Sequence, residues 1–364
     1  MKIAVYFGLP YGGAYRSMEE ICKRMAKSHD VHFFENCSPT RTKKTRVLSD
    51  INSLVIERIR QKKLAQKIDS QKFDLVFVTH DEHLQAPWIL RYLKTKTVFL
   101  CQEPTRAFFE KFLDIDPNLP LINKLYERTN RYFRKTAEIT NAQYATTTIA
   151  NSCYSVESIF RSYGTISTPI YLGIDNKQFH PQKTKRQNQI LLVGNDEPQK
   201  GLKLAIDSVS CVPSKIRPKL LIASPRSIIS KQLVHYAKLK GVNLKNVCHL
   251  NPDQLSKVYN QSLLTLATAS LEPFGLSVVE SMACGTPVVA VCEGGFRETV
   301  IDGKTGLLTP RNAQKIATAI SKLISDRLLY KKISQQAVSR ATRYFSWDIT
   351  FTKIEKVFNE TIKK

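Results

Sequence analysis

The sequence of 364 residues predicts an α/β protein with two doubly wound domains. Apolar segments of strand length alternate with longer helical segments, and the strands are continuously apolar rather than alternating with polar residues. This pattern breaks once near the middle of the chain and then restarts. Continuous apolar strands are typical of parallel sheets that helices cover on both faces. The length agrees, since a domain holds roughly 100–200 residues.

Each half of the chain supplies a series of strands and helices. In the first half, strands are predicted at residues 2–9, 31–34, 74–79, 97–101 and 147–150, and helices at 17–28, 48–68, 87–94, 121–140 and 155–163. A polar break over 171–185 follows. In the second half, strands are predicted at 189–193, 219–223, 247–249, 263–267, 287–291 and 305–308, and helices at 202–209, 228–240, 253–260, 276–283, 313–325, 331–344 and 347–363. Repeated strand–helix units in two halves predict two doubly wound domains.

The net charge of +24 comes from 55 Lys and Arg residues against 31 Asp and Glu residues. It is spread over both halves, with +9 in residues 1–174 and +15 in 175–364. Such a charge favours a polyanionic partner, which nucleic acid, an anionic membrane surface or phosphorylated small molecules would satisfy. We expect no nucleic-acid partner, because no helix-turn-helix, aromatic-basic sheet or zinc-finger pattern is found.

The first apolar run ends at Pro10, which is too short for a signal peptide, and no segment approaches the roughly 20 apolar residues of a spanning helix. We therefore expect a cytoplasmic protein. The eight cysteines form no CxxC pair and no Cys/His cluster, so no metal site is predicted.

The most informative chemistry lies in residues 263–310. A strand there is followed by a turn with Gly275, a helix, another strand and the pair Gly294-Gly295. Loops at the carboxyl ends of parallel strands, followed by helix starts, suit phosphate and sugar oxygens. Two carboxylates, Glu272 and Glu280, flank the turn with seven residues between them. The same spacing also fits a turn residue and a solvated helix residue.

This segment resembles the signature of the retaining glycosyltransferases of family 4, with its two glutamates. Four further stretches resemble the same family in the same order, at residues 149–164, 170–181, 191–202 and 345–358. The resemblance implies a GT-B fold, in which two Rossmann-like doubly wound domains face a cleft and a C-terminal helix crosses back to the first domain. It divides the chain into an acceptor-side domain (1–170), a linker (171–181), a nucleotide-sugar-binding domain (182–344) and the returning helix (345–364).

The resemblance also implies roles for residues of the second domain. Glu280 would bind the ribose of a nucleotide sugar, and Glu272, as a catalytic residue, the hydroxyls of the transferred sugar. Lys200 would pair with the diphosphate, which a lysine beside Gly201 at a helix start also suggests on physical grounds. The remaining donor-binding candidates are Gly194, Asn195, Phe274, Gly275 and Leu276.

Asn195 departs from the family pattern, which has an arginine directly after the strand glycine. Asparagine is neutral and cannot form a bidentate pair with phosphate. Either Lys200 carries the diphosphate with help from the backbone, or Arg226 or Arg297 takes the place of the arginine. The departure leaves open the alternative that the chain is a GT-B protein that binds nucleotide or glycan without turnover.

In the first domain, Gly12 and Gly13 correspond to a glycine-rich loop near the donor phosphate. His80 ends the strand DLVFVT and, by resemblance, is a catalytic residue that approaches the sugar, with His83 as a competitor. A histidine at a strand end is also compatible with a purely structural role. Glu103 and Arg106 follow the strand TVFLC and are predicted to lie on the acceptor side.

The predicted reaction is transfer of a glycosyl unit from a nucleoside-diphosphate sugar, with retention of configuration and without a metal or other cofactor. The acceptor would be a glycan or a lipid-linked molecule, in the synthesis of a cell-envelope or surface polysaccharide. A related sugar phosphorylase or synthase is an alternative.

Two basic segments of the first domain, residues 41–72 and 121–135, intersperse Lys and Arg with apolar side chains. Basic helices with apolar faces can lie on anionic lipid, although helices packed on the core have the same composition. The membrane interpretation predicts a peripheral position on the inner face of the cell membrane.

Overall fold

The computed structural model describes residues 1–9, 12–36, 46–110, 115–224 and 228–364, with the side chains of residues 46 and 47 left out. The chain divides into two compact units. The first unit contains Met1–Tyr171 and Thr350–Lys364, and the second contains Leu172–Ile349. In the parts of the chain that the structure describes, no helix combines the length and apolarity needed to cross a bilayer.

The first unit is a parallel six-stranded sheet with helices. Its strands are β1 Lys2–Gly8, β2 Asp30–Glu35, β3 Leu75–Asp81, β4 Thr97–Cys101, β5 Thr147–Ala150 and β6 Ser167–Pro169. Its helices are α1 Gly13–Ser28, α2 Arg46–Ile51, α3 Glu57–Ser70, α4 Arg106–Phe109, α5 Leu121–Ala142 and α6 Cys153–Tyr163. The strand order is β2-β1-β3-β4-β5-β6, so the order reverses between β1 and β3. The strands β1, β3 and β4 are almost wholly buried because both faces of the sheet are covered.

The second unit is also a parallel six-stranded sheet with helices. Its strands are β7 Gln187–Val193, β8 Lys219–Ser224, β9 Leu244–Cys248, β10 Ser262–Ala267, β11 Val288–Val291 and β12 Leu307–Thr309. Its helices are α7 Leu202–Ser210, α8 Lys231–Leu239, α9 Pro252–Gln261, α10 Leu276–Ala283, α11 Phe296–Thr299, α12 Ala313–Ser325 and α13 Arg327–Tyr344. The order β12-β11-β10-β7-β8-β9 is that of the Rossmann fold, with its reversal between β7 and β10.

The last helix, α14 Trp347–Thr361, begins in the second unit and continues in the first from Thr350 onward. Phe358 is fully buried and packs edge to face on Phe77 of β3, with the ring centroids 5.6 Å apart. The predicted return of the C-terminal helix to the first domain is therefore confirmed.

Local sequence explains several boundaries. Helix α9 begins with a capping box, in which Asn251 and Gln254 each bond the other's backbone, and Pro252 occupies the first helical position. Helix α6 begins at the cap Ser152 and ends at Gly164, whose φ of 68° suits a left-handed helix end.

Some local details differ from the predictions. The predicted helix 48–68 is divided by a π-helical turn at Asn52–Ile56. The predicted helix 87–94 is a 3-10 turn, Trp88–Arg91, whose Ile89 N–H bonds the side chain of Gln61 instead of a preceding carbonyl. The short edge strand β6 was missed, because its residues have no apolar run.

Candidate functional site

The candidate site lies at the carboxyl edge of the second sheet, where the strand order reverses between β7 and β10. Loops that leave these strands diverge at such a reversal, which is where open α/β sheets bind ligands. The loops after β7, β10 and β11 contact one another here. The N–H of Ser270 donates to the carbonyl of Gln199 at 2.8 Å, and the N–H of Gly295 donates to the carbonyl of Glu272 at 2.7 Å.

Lys200, the predicted phosphate ligand, ends the 3-10 turn Pro198–Lys200 after β7. The next residue, Gly201, has a φ of 67°, and a Cβ atom there would lie 2.2 Å from the carbonyl oxygen of Thr268. Only glycine fits this close approach of two loops. The Nζ of Lys200 donates to Oε2 of Glu272 at 2.9 Å, and both side chains remain partly exposed. The structure thus places the predicted cation beside the predicted carboxylate.

The helix start after Glu272 has the form expected of an anion site. Gly275 precedes the first residue of α10, Leu276, with a φ of 87° and no side-chain cap. A Cβ atom at Gly275 would lie 2.6 Å from the ring of Phe296, so glycine is required by the fold itself. Phe274 is buried, with its ring 5.7 Å from that of Phe345. Its side chain anchors the turn, while the first N–H groups of α10 carry the positive end of the helix dipole.

Glu280 lies inside α10 and is only 2% exposed. Its Oε2 accepts a hydrogen bond of 2.9 Å from the hydroxyl of Tyr259, which lies in α9. The alternative of a solvated helix residue is therefore wrong for Glu280. Its predicted contact with a ribose stays a prediction, and Tyr259 is a partner that the sequence did not indicate.

Gly194 and Asn195 follow β7 as predicted. The N–H of Gly194 bonds the carbonyl of Ala223, and a Cβ atom there would make ordinary contacts of 3.5 Å with the Lys200 side chain. The Oδ1 of Asn195 accepts a hydrogen bond of 3.1 Å from Ser224 Oγ at the end of β8. Asn195 thus joins two neighbouring loops, at the position where the family pattern has an arginine.

Of the two candidates for the missing arginine, Arg226 lies outside the described residues. Arg297 lies in the short helix α11, and its Nε donates to the carbonyl of Gly294 at 3.4 Å. Two charged residues that the sequence analysis missed, Glu293 and Arg311, form a bidentate ion pair beside the same loops. Glu293 directly precedes Gly294-Gly295, which was a usable signal, whereas Arg311 follows a strand with no distinguishing pattern.

His80 lies near the end of β3 in the first unit. Its Nδ1 atom is buried without a hydrogen-bond partner among the described residues. Burial lowers the pKa of His80 to about 4, so the imidazole is neutral at pH 7. His83, the competitor, has its Nδ1 atom 2.9 Å from Ser53 Oγ and therefore belongs to a buried structural network.

Gly12 and Gly13 lie at the start of α1, where Gly12 is the N-cap residue and its carbonyl accepts the N–H of Arg16 at 3.0 Å. The preceding residues 10 and 11 lie outside the described part. A Cβ atom at Gly13 would meet no described heavy atom within 4 Å. The described packing therefore does not by itself require glycine at position 13.

Glu103 and Arg106, the predicted acceptor-side residues, pair with each other at 3.1 Å after β4. The buried Glu138 of α5 holds the same loop, since its carboxylate accepts hydrogen bonds from Thr105 and from the N–H of Gln85. Burial raises the pKa of Glu138, and these hydrogen bonds oppose the increase. Glu138 is a second buried carboxylate that the sequence analysis did not single out.

The basic segments contain apolar side chains that are exposed to solvent. Residues 41–45 lie outside the described part of the chain. In α2, the π turn and α3, the side chains of Leu48, Ile51, Val55, Ile56 and Ile59 are about half exposed. In α5, the exposed apolar side chains are Leu121, Ile122, Leu125, Tyr132 and Phe133. The core contacts of Leu54 and Leu64 show that only part of the predicted apolar pattern serves packing.

The described ranges, which omit 10–11, 37–45, 111–114 and 225–227, contain no group of three or more His, Cys, Asp or Glu residues that could hold a metal ion.

Two parallel six-stranded sheets and the returning helix place the chain among proteins with the GT-B fold. The Anabaena protein Alr3699/HepE, solved in complex with UDP and glucose, shares this fold with a TM-score of 0.76 at 18% identity, over 99% of this chain and 100% of that chain. WaaG, described as a glycosyltransferase involved in lipopolysaccharide biosynthesis, has a TM-score of 0.71 at 16% identity, over 99% of both chains. The predicted fold class is confirmed.

Residues 173–340 match the family model of the glycosyl transferases group 1. The alpha-1,3/1,6-mannosyltransferase ALG2 of Dictyostelium discoideum is 30% identical over 210 residues, which are 52% of this chain and 49% of the relative. The chain therefore spans about half the length of this curated relative. The predicted resemblance to a glycosyltransferase family is confirmed at the level of group 1.

Proposed function

We propose that this protein is a glycosyltransferase that moves a sugar from a nucleoside-diphosphate sugar to a glycan or lipid-linked acceptor. The observation that carries the proposal is the 2.9 Å pair between Lys200 and Glu272 at the β7–β10 reversal, within the segment that matches the group 1 family. A cation and a carboxylate that are both partly exposed can hold the diphosphate and the sugar hydroxyls of one donor. Proteins of similar fold, among them one solved in complex with UDP and glucose, support this class of ligand.

In the proposed mechanism, Lys200 exchanges its contact with Glu272 for the diphosphate of the donor. The start of α10 and the Lys200 ammonium then stabilise the negative charge that grows on the leaving diphosphate. Glu272 is released to accept hydrogen bonds from the sugar hydroxyls and to orient the ring. Glu280 and the loop at Gly194 and Asn195 would hold the nucleoside end of the donor.

The proposal includes retention of configuration and independence of metal ions. The leaving phosphate takes the proton of the acceptor, so a protein base on the opposite face of the sugar is not needed. Neutral His80 would contribute a hydrogen bond to the sugar, Gly12 and Gly13 would bind the donor, and Glu103 and Arg106 would bind the acceptor. NMR of the product decides the anomeric configuration, and an inverted product would refute retention. Transfer that is lost in EDTA and restored by Mg²⁺ would refute metal independence.

The donor is tested first by thermal unfolding with UDP-glucose, GDP-mannose and ADP-glucose, because a ligand that binds the native state raises the melting temperature. The donor that raises it is then used in transfer and hydrolysis assays. Lys200→Met should lower kcat by about 100-fold to 1000-fold, as does loss of one charge-stabilising donor. Glu272→Gln should abolish transfer with the fold intact.

Lys203→Met is the matched control for Lys200→Met. The ammonium of Lys203 lies over the ring of Tyr236 at 5.1 Å, three residues along the chain from Lys200. Transfer should be unchanged in this variant. The proposed function is wrong if no nucleotide sugar is turned over by the wild-type protein, or if Lys200→Met and Glu272→Gln transfer sugar at the wild-type rate. Binding of a donor without turnover would indicate a non-catalytic nucleotide-binding protein, and transfer to inorganic phosphate would indicate a phosphorylase.

We further propose that the acceptor is reached at an anionic membrane surface. Helix α2 and helix α5 lie side by side, since the hydroxyl of Tyr126 donates to Asp50 at 2.7 Å. Basic residues accompany these exposed apolar side chains, namely Lys62 and Lys63 in α3 and Lys124, Arg128 and Arg131 in α5. Basic residues around exposed apolar side chains fit the phosphates and acyl chains of an anionic bilayer.

Co-sedimentation with vesicles tests the membrane proposal. Wild-type protein should bind vesicles that contain phosphatidylglycerol and should bind phosphatidylcholine vesicles much less. Ile122→Asp should weaken binding at least fivefold, because Ile122 is 71% exposed on α5. Leu328→Asp is the control, since Leu328 is 83% exposed on α13 in the second unit. Equal binding to both vesicle types would overturn this proposal without affecting the donor assays.

A further inference from the structure

Arg311 reaches from the loop after β12 to the end of β10. Its Nε and Nη2 donate to the two carboxylate oxygens of Glu293 at 2.8 and 2.7 Å. Its Nη1 donates to the carbonyl of Thr268 and its Nη2 to the carbonyl of Ala269, each at 3.0 Å. One planar guanidinium therefore ties the loop that leads to Glu272 to the loop that leaves β11. A lysine could not make this set of contacts, because it lacks the planar fork.

Glu293 extends this network to a strained residue. Its Oε2 accepts the N–H of Leu271 at 3.4 Å. Leu271 has a φ of 45°, in the left-handed region that is sterically unfavourable for a residue with a side chain. Such a conformation persists only where surrounding contacts hold it. Leu271 directly precedes Glu272, so its backbone angles set the direction in which the Glu272 side chain leaves the loop.

The backbone after Glu293 also lies against Glu272. A Cβ atom at Gly294 would lie 2.5 Å from the carbonyl oxygen of Glu272 and 2.8 Å from its nitrogen. Burial opposes ionisation of Glu293, but the hydrogen bond and charge of Arg311 and the N–H of Leu271 outweigh burial and lower its pKa. Glu293 is therefore a carboxylate at neutral pH, and the pair is an ion pair.

We propose that Arg311 and Glu293 are positioning residues that hold Leu271 in its left-handed conformation and thereby direct the Glu272 carboxylate toward Lys200. They act on the reaction through the backbone of the loop at residues 270–274. The catalytic meaning of this inference rests on the proposed function, whereas the loop-holding part can be measured without it.

The test uses Arg311→Gln and Glu293→Gln, each alone and combined with Leu271→Gly. Glycine adopts the left-handed conformation without the steric cost, so it should supply what the ion pair otherwise enforces. Arg217→Gln is the matched control. Arg217 also donates to three carbonyls, those of Ser210, Val212 and Gly241, but it lies beside the amino end of β8.

Steady-state transfer is measured with the donor that the wild-type protein uses, among UDP-glucose, GDP-mannose and ADP-glucose. Arg311→Gln and Glu293→Gln should each lower kcat by about 100-fold, because a displaced reacting group has an effect of this size. The KM for the donor should change less than about threefold, because the groups proposed to hold the nucleoside and the helix start of α10 are unchanged. Addition of Leu271→Gly should restore kcat at least tenfold. Arg217→Gln should leave both constants unchanged.

Hydrogen exchange supplies the readout that does not depend on turnover. The loop at residues 270–274 should exchange at least ten times faster in Arg311→Gln than in wild type. Unchanged exchange and unchanged kcat would overturn the proposal, as would a loss of kcat that Leu271→Gly fails to restore. If the wild-type protein turns over no nucleotide sugar, the proposed function fails, and the exchange result still decides whether the pair holds the loop.

Discussion

The two sheets use their points of strand reversal differently. In the first unit the reversal between β1 and β3 is occupied by a buried polar network. Asp81 is 3% exposed, and its Oδ2 accepts hydrogen bonds from Tyr6 at 2.8 Å and Gln61 at 2.9 Å. Glu57 is 2% exposed and accepts a hydrogen bond of 3.1 Å from Asn36, which also donates to Tyr6. This network consists of side chains whose hydrogen bonds are satisfied within the protein.

In the second unit the corresponding reversal presents a charged pair to solvent. Lys200 and Glu272 are 29% and 21% exposed, and the loops that carry them approach each other through glycines. At this position the described side chains of the first unit are hydrogen-bonded to one another in a buried network, whereas those of the second unit carry charges that are partly exposed. Buried hydrogen bonds stabilise loops, whereas exposed charges beside a helix start can exchange partners with a ligand. A strand reversal marks a potential site, and the partly exposed charges of the second unit are the reason why the donor diphosphate is proposed to bind there.

The largest effect should come from breaking the buried network of the first unit. Asp81→Leu removes the acceptor for Tyr6, Gln61 and the N–H groups of His83 and Leu84. Buried donors without partners cost about 1–3 kcal/mol each, so unfolding of the first unit should become easier by about 3–5 kcal/mol. The measurement is urea unfolding followed by the fluorescence of Trp88 in a Trp347→Phe background, since these are the two tryptophans of the chain.

Asp30→Leu is the control in that background, because Asp30 is an exposed residue of β2 whose Oδ1 lies 3.1 Å from Nε2 of His32. Its effect should stay within about 0.5 kcal/mol, as at most surface positions. If Asp81→Leu lowers the free energy of unfolding by less than about 1 kcal/mol, the buried network does not stabilise the first unit as proposed.

The two reversals also show how much of the fold and of the candidate site could be predicted from the sequence. The fold class followed from continuous apolar strands, and Lys200, Glu272 and Gly275 could be selected because each stands just after a strand or before a helix. The sequence could not show that Lys200 and Glu272 meet, since 72 positions separate them. Arg311 escaped notice because its contacts, to Glu293 and the β10 loop, depend on a sheet order that places β10, β11 and β12 side by side.

Buried carboxylates were the other class that sequence could not resolve. Glu280 lies on an apolar helix, which suggested a special setting, but its partner Tyr259 comes from a different helix. Asp81 and Glu57 lie among ordinary strand and helix residues, and only the tertiary structure shows that both are buried. Roles in donor or acceptor binding therefore stay predictions, while the positions of these side chains are now known.

Two glycines, one in each unit, test the same comparison, and their substitution should change the stability by an intermediate amount. Gly275→Ala should destabilise the second unit by about 1–3 kcal/mol, because its φ is 87° and a Cβ atom would lie 2.6 Å from Phe296. Gly13→Ala should be neutral or stabilising by about 0.5 kcal/mol, because no described atom opposes a Cβ there and alanine favours a helix. Thermal unfolding of both variants measures the difference.

The same two variants separate a fold requirement from a ligand requirement. If Gly13→Ala keeps full stability but loses transfer, the glycine serves a ligand in the way that the sequence predicted. If Gly275→Ala is as stable as wild type, the close approach to Phe296 is relieved without cost, and the argument from backbone geometry fails.

The smallest effect on stability should come from the protonation of His80 at low pH. Its pKa of about 4 in the folded protein lies below the ordinary value of 6.5, because burial disfavours the charged imidazole. The unfolded chain therefore binds a proton that the folded chain excludes, and this contribution to stability is complete above pH 6.5 and is lost as the pH falls toward 4.

The variant His80→Gln removes this proton uptake. Its melting temperature should therefore fall less between pH 7 and pH 4.5 than that of the wild-type protein. His235→Gln, on helix α8 of the second unit, is the control and should follow the wild-type curve. Parallel curves for His80→Gln and wild type would show that His80 is protonated freely in the folded protein, and it could then not act as the neutral hydrogen-bonding group of the proposed mechanism.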